Sequence, residues 1–182
     1  MALSPDHPGR LVARVTRGLR DVPDFPSPGI LFKDITPVLA DGALFGAVVD
    51  GMAAPFRADA VTHVAGIESR GFILGAPIAR ALGAGFIPLR KPGKLPWRAL
   101  RVDYALEYGV DALEMHEDAL PPGSRVLVVD DVLATGGTAA AACALVEGTG
   151  ADLVGISVLL CISALGGMRR LTGRRREILV TI

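Results

Sequence analysis

The tightest constraint on how this chain folds is a run of apolar residues that ends in two acids. Val126 to Val129 are apolar without alternation, Asp130 and Asp131 follow, and the Gly-rich segment Ala134 to Thr138 leads into the alanine-rich stretch Ala139 to Ala144. Lack of alternation suits a strand buried on both faces, the parallel-sheet case, and the alanines favour a helix directly afterwards. The loop between them therefore lies beyond the carboxyl end of a buried parallel strand. Ligands of open α/β sheets collect at such ends, where helix amides and the helix dipole favour an anion.

The residue types in the loop narrow the ligand. Gly136 and Gly137 let the backbone approach a phosphate closely, and Thr135 and Thr138 add hydroxyl donors beside the amides. Asp130 and Asp131 would repel phosphate and suit sugar hydroxyls set a few ångströms away. Phosphate at one end and vicinal hydroxyls at the other describe a ribose 5-phosphate. An isolated TGGT would signify no more than a tight turn and a capped helix. Strand, acidic pair, loop and helix together are far more specific.

Composition limits the alternatives. With 182 residues, 51% of them apolar, the chain is expected to form a single α/β domain with a substantial core. Nineteen basic residues balance nineteen acidic ones, so nothing suggests a nucleic-acid or membrane partner, and any anion site must be local. Cys143 and Cys161 lack metal-ligand spacing and read as buried thiols in a reducing compartment. The amino-terminal residues carry no apolar signal-peptide core, and Leu153 to Leu165 is too short to span a membrane, so a cytoplasmic location is expected. Neither GxxxxGK[ST] nor GxGxxG occurs, which removes P-loop nucleotide hydrolases and dinucleotide-dependent oxidoreductases. The chain has no Asn or Gln, and its only lysines are Lys33, Lys91 and Lys94.

Taken in order, Leu11, Val15 and Leu19 recur at helical spacing, with Arg10, Arg14 and Arg17 on another face. Pro23, Pro26, Pro28 and Gly29 then force an irregular connection. Asp41 is placed to cap a helix bearing Leu44, Val48 and Met52. A strand over Ala60 to Ala65, a loop over Gly66 to Gly71 and a helix from near Phe72 repeat the strand, loop, helix pattern. That second loop could hold a second anion beside Arg70, although Arg70 alone reads as a surface residue. After a strand over Phe86 to Leu89, the cations Arg90, Lys91 and Lys94 stand in an exposed segment running to about Val102, either a mobile lid or a solvated hairpin. Alternation of Tyr104, Leu106 and Tyr108 suggests a strand edge holding Glu107. Further strands are expected over Leu153 to Leu160 and Glu177 to Ile182. His7, His63 and His116 have no supporting constellation.

VLVVDDVLATGGT resembles the phosphoribosyl pyrophosphate (PRPP) signature of the type I phosphoribosyltransferase family. Asp21 to Leu39, Gly66 to Ala79, Arg90 to Pro96 and Tyr104 to Gly109 are similar, in order and spacing, to the adenine-specific branch of that family. The resemblance implies a central, mainly parallel sheet flanked by helices, with an N-terminal helix and hood over about residues 1–34 and a flexible lid over about residues 90–109. It implies transfer of a phosphoribosyl group from PRPP to adenine, with Mg2+ carried mainly by the substrate's phosphates, in a homodimer. By the same resemblance Asp130, Asp131, Ala134, Thr135, Gly136, Gly137 and Thr138 would bind the ribose and its 5-phosphate. Glu68, Ser69, Arg70, Arg90, Lys91 and Lys94 would meet pyrophosphate, with a cis peptide at Glu68–Ser69. Leu31, Phe32, Lys33 and Val132 would bind adenine, Phe32 stacking on the base opposite Val132, and Glu107 would exchange a proton with the purine N7. A related enzyme for another base and a PRPP-responsive regulator are the alternatives; the PGILFKDITP segment argues against the first, and Glu107 with a cationic lid against the second. The chain departs from its relatives at Cys161-Ile162, where a Glu-Leu pair is usual, at Trp97, Arg98 and Arg101 after the lid cations, and in a terminal Arg174 to Arg176 cluster.

Overall fold

A computed structural model describes residues 8–105 and 110–182. It divides the chain into two compact units, Met1–Gly51 and Met52–Ile182.

Among the described residues the first unit opens with α1 (Pro8–Gly18), which buries Leu11 and Val15 and leaves Arg10 and Arg17 exposed. Leu19 follows the helix, its amide still bonded to the Val15 carbonyl at 3.1 Å. Strands β1 (Arg20–Pro23) and β2 (Leu31–Asp34) form an antiparallel ribbon that sets Asp21 opposite Lys33 and Val22 opposite Phe32. Between them the proline-rich connection contains a cis Phe25–Pro26 bond and turns at Gly29, whose φ is +86°. The Thr36 amide and the Arg20 guanidinium both donate to the Asp34 carboxylate and hold its pKa down at about 2. A short α2 (Thr36–Ala40) leads to α3 (Gly42–Ala53). Asp41 caps α3 as its sequence suggests, accepting the Ala43 and Leu44 amides at 3.0 Å each.

In the second unit β3 (His63–Ile67), β4 (Gly85–Leu89), β7 (Arg125–Leu133), β8 (Asp152–Cys161) and β9 (Arg176–Thr181) form one parallel sheet. Their spatial order is β4-β3-β7-β8-β9, so strand order reverses between β3 and β7. The Val126 to Val129 run lies on β7, and all four residues are 0% exposed, as a central strand covered on both faces requires. Helix α4 (Arg70–Leu82) connects β3 to β4, and α5 (Gly137–Gly148) connects β7 to β8. Right-handed crossovers that run in opposite directions from the reversal point place these helices on opposite faces.

Two boundaries differ from expectation. β3 starts three residues late because Ala60, at φ +48°, still belongs to the preceding turn, and α4 starts at Arg70, two residues before Phe72. The larger difference follows the lid cations. Loop was expected to about Val102, but β5 (Ala99–Ala105) pairs with β6 (Val110–His116) in an antiparallel hairpin with Val102 opposite Leu113. Leu100, Val102 and Tyr104 alternate, and they pack with Leu113 and Met115 into the cluster that contains the buried face of α5. Period-two burial therefore decides this segment despite its turn-forming start.

The carboxyl-terminal arginines are built into the packing. Arg174 forks onto Glu147 with two bonds of 2.7 Å, and Arg175 lies 4.5 Å over the Phe56 ring while bonding Asp59. Cys143 and Cys161 are both buried free thiols, and burial pushes the Cys143 pKa up to about 12. Asp41→Ala should cost about 1 kcal/mol of stability, whereas Asp41→Ser should cost little, since serine replaces the lost cap. Urea unfolding of the three proteins measures this, and equal stability of the Ala variant would contradict the capping role.

Candidate active site

The site grows from the strand-order reversal. β3 and β7 end side by side there, and in sheets of this order the crevice between such ends is where ligands bind. β3 runs through a cis Glu68–Ser69 peptide into α4, and β7 runs through Asp130 to Gly136 into α5. Neither Ser69 nor Gly136, the residues that precede these helices, contributes a side-chain cap. First-turn amides of both helices therefore lack that partner and suit an anion. The loop after β7 encloses a cleft of about 80 Å3 lined by Asp130, Val132, Leu133, Ala134, Thr135, Gly136, Thr138 and Ala139.

Close approaches fix this loop. Gly136 has φ +82°, and a Cβ there would fall 2.5 Å from the Gly167 carbonyl oxygen. Conversely a Cβ on Gly167 would fall 2.2 Å from the Ala134 carbonyl oxygen, so the Gly166-Gly167 turn is the wall behind the loop. On the other side of the crevice, a Cβ on Gly71 would come within 3.0 Å of Asp130 Oδ1. Absence of a side chain at Gly71 brings the start of α4 against the acidic pair.

Asp130 and Asp131 are 8% and 6% exposed. Asp130 Oδ1 accepts the Asp131 amide at 2.9 Å, and Arg70 Nε lies 2.5 Å from Asp131 Oδ2 as a charge contact without an aligned N–H. Burial, and then the neighbouring Asp131 charge, push the Asp130 pKa well above the usual carboxylate range. Adjacent buried carboxylates with one cation beside them are costly to the fold and mark a functional site.

The lid cations are held by carboxylates. Glu68 has a buried side chain whose Oε2 accepts Arg90 Nε at 3.1 Å and the Lys91 amide at 2.9 Å, while its Oε1 accepts Lys94 Nζ. Burial acts to raise the Glu68 pKa, but the bonds from Lys94, the Lys91 amide and Arg90 outweigh it and leave the group below its ordinary value. Arg90 also exchanges backbone bonds of 2.9 and 2.7 Å with Glu114 of β6. Lys91 Nζ donates to Tyr104 OH at 2.5 Å and to Asp111 Oδ2. Arg90 and Lys91 are thus half-buried and engaged, and only Lys94 matches the exposed character expected of a lid cation.

Residues expected to meet pyrophosphate (Glu68, Ser69, Arg70, Arg90, Lys91 and Lys94) are therefore gathered at one end of the sheet with those expected to hold the phosphoribose. In the first unit, Leu31 is exposed, Phe32 meets Phe25 edge-to-face at 5.1 Å, and Lys33 Nζ donates to Asp21 at 2.6 Å. Glu107 and Tyr108 lie outside the described residues. Gly167, Tyr104 and Asp111 were not assigned to the site from sequence. Only the Gly-Gly pair at Gly166 is a visible signal, since the Lys91–Asp111 contact depends on the Arg90–Glu114 bridge.

The family model of the phosphoribosyl transferase domain matches residues 39–175. An adenine phosphoribosyltransferase of Myxococcus xanthus is 62% identical over 171 residues, 94% of this chain and 93% of that protein. The crystal structure of adenine phosphoribosyltransferase from Rhodothermus marinus superposes with a TM-score of 0.92 at 47% identity, covering 96% of this chain and 99% of the other. The Trypanosoma brucei adenine phosphoribosyl transferase, crystallised with AMP, pyrophosphate and ribose-5-phosphate, has a TM-score of 0.82 at 28% identity, covering 99% of this chain and 82% of that one. The chain belongs to the phosphoribosyltransferase family and, within it, to the adenine phosphoribosyltransferases.

The raised Asp130 pKa has a consequence for stability. The folded state holds the Asp130 proton more tightly than the unfolded chain, so this group favours folding at low pH and opposes it once pH rises through the folded pKa. Asp130→Asn keeps an oxygen for the Asp131 amide and removes the buried charge. Its melting temperature should exceed that of the parent protein at pH 8, with the difference shrinking toward pH 5. A variant less stable at pH 8, or a difference independent of pH, would contradict the assignment.

Proposed function

We propose that this chain transfers the 5-phosphoribosyl group of PRPP to adenine, forming AMP and pyrophosphate. The observation that carries this reading is the buried Asp130–Asp131 pair, set between two uncapped helix starts at the strand-order reversal. A phosphorylated ribose needs that combination: amides for the 5-phosphate, carboxylates for the vicinal hydroxyls, and a second amide-lined loop for the leaving group. The trypanosomal relative, crystallised with AMP, pyrophosphate and ribose-5-phosphate, supports it.

In this mechanism the amides of Thr135 to Thr138 and the Thr135 hydroxyl fix the 5-phosphate, and Asp130 and Asp131 accept hydrogen bonds from the ribose hydroxyls. The sugar is thereby oriented with C1 exposed to the base. As the bond from C1 to pyrophosphate lengthens, positive charge develops on the sugar and negative charge on the leaving group. Arg70, Arg90, Lys91 and Lys94 stand ready for the negative charge, two of them bonded to Glu68. Mg2+ would travel with PRPP, because a hard cation takes oxygen ligands and the diphosphate supplies them; when bound it would neutralise charge on the departing group. Among the described residues no cluster of three metal-ligating side chains offers it a cage.

Adenine would stack on Phe32 opposite Val132, with the backbone of Leu31 and Lys33 reading its edge. Glu107 would hydrogen-bond N7 and exchange its proton as the glycosidic bond forms. The protein acts as a homodimer in the cytoplasm on this reading; no helix among the described residues is long and apolar enough to cross a membrane.

PRPP and Mg2+ supplied with adenine, guanine, hypoxanthine or uracil should yield AMP from adenine and negligible nucleotide from the others. Turnover with a different base alone would overturn the substrate assignment, and PRPP binding without turnover would favour a regulator. Glu107→Gln should lower kcat about 100-fold while leaving the dissociation constant for PRPP within about twofold.

A further inference from the structure

We propose that Tyr104 and Asp111 are positioning residues that hold the Lys91 ammonium in place for pyrophosphate. This inference rests on the reading of Lys91 as a pyrophosphate-binding cation. Tyr104 and Asp111 face each other across the β5–β6 hairpin, and the Arg90–Glu114 bridge lays the Lys91 backbone beside the same pair of strands. Lys91 Nζ donates to the Tyr104 hydroxyl at 2.5 Å and to Asp111 Oδ2, and it lies 5.1 Å from the centre of the tyrosine ring. Two of the three N–H groups of the ammonium are thereby fixed, which leaves one for a ligand.

The two holders are themselves fixed. Tyr104 is 8% exposed, and its hydroxyl donates to Asp111 Oδ2 at 3.2 Å while accepting from Lys91 and from Thr138 Oγ1, the latter at 3.2 Å. One donor and two acceptor positions are all that a phenol offers, so its hydrogen-bonding capacity is filled. Asp111 uses its other oxygen to accept the Ala112 amide at 2.8 Å. Because Thr138 lies in the first turn of α5, directly after the phosphate loop, Tyr104 joins the lid cation to the element that carries that loop. Burial would lower the Lys91 pKa, but the bonds to Asp111 and Tyr104 raise it, so the group is a full cation throughout the working range.

A flexible lysine loses considerable side-chain freedom when it meets an anion, and an ammonium already held in place has less to lose. Removing either holder should therefore weaken pyrophosphate binding through Lys91 and not independently of it. Tyr104→Phe keeps the packed ring and Asp111→Asn keeps the shape of the acceptor, so either can be read if the other fails to fold.

The test is a double-mutant cycle on the dissociation constant of pyrophosphate, measured by calorimetry with Mg2+ present. Lys91→Met should weaken binding about tenfold, and Tyr104→Phe and Asp111→Asn each about three- to tenfold, whereas in the Lys91→Met background neither should have a further effect. In turnover the two single variants should lower kcat/KM for PRPP by a similar factor when Lys91 is present and leave it unchanged in the Lys91→Met background. Equal losses with and without Lys91 would mean that the pair only supports the hairpin, and the inference would fall. If Lys91→Met leaves pyrophosphate affinity unchanged, it is the assignment of Lys91 to pyrophosphate that fails, and the positioning role goes with it.

Discussion

Two carboxylates side by side at the buried end of the central strand are the constraint to which the surrounding structure answers. Asp130 and Asp131 lie almost out of reach of solvent, and burial, with the Asp131 charge beside it, pushes the Asp130 carboxyl well above the usual range. Gly71 has no side chain that could intrude on Asp130, and Arg70 reaches Asp131 from the first turn of α4. The start of α5, with its positive dipole end, follows a few residues later. A fold selected for stability alone would place apolar residues at such a strand end. Asp130 opposes folding once pH rises through its raised pKa, and the pair is explained by a ligand rich in hydroxyl groups.

A second consequence is how the molecule attracts a highly charged anion while its formal net charge is zero. Four cations near the crevice have carboxylate partners: Arg70 with Asp131, Arg90 and Lys94 with Glu68, Lys91 with Asp111. These partners keep the cations within a small region. On the proposed function, pyrophosphate and its Mg2+ enter a site that is already arranged, and they compete with Glu68 for two of the cations. Preorganised charge of this kind costs little rearrangement during reaction.

Much of this was legible in the sequence because local patterns and tertiary burial agree. The unbroken apolar run predicted β7, the alanines predicted α5, and Asp41 predicted the start of α3, each from residues adjacent in the chain. The hairpin from Ala99 is hard to read in the sequence because the turn formers and cations of Arg90 to Pro96 mask the alternation of Leu100, Val102 and Tyr104 immediately after them. Contacts that depend on distant register were out of reach. Lys91 and Asp111 are brought together only once the Arg90–Glu114 bridge sets the end of β4 beside β6, and Gly167 meets Gly136 only because the turn after β8 folds back on the phosphate loop. The lid cations illustrate the difference: their presence was visible, but the carboxylates that hold two of them half-buried were not.

The most direct test of the central assignment is a crystal structure of the protein with ribose 5-phosphate, pyrophosphate and Mg2+. The 5-phosphate should lie on the amides of Thr135 to Thr138, the ribose hydroxyls on Asp130 and Asp131, and pyrophosphate between the Glu68–Arg70 loop and Lys91 and Lys94. A phosphoribose bound elsewhere, or one whose hydroxyls face away from the acidic pair, would contradict the role given to these buried carboxylates.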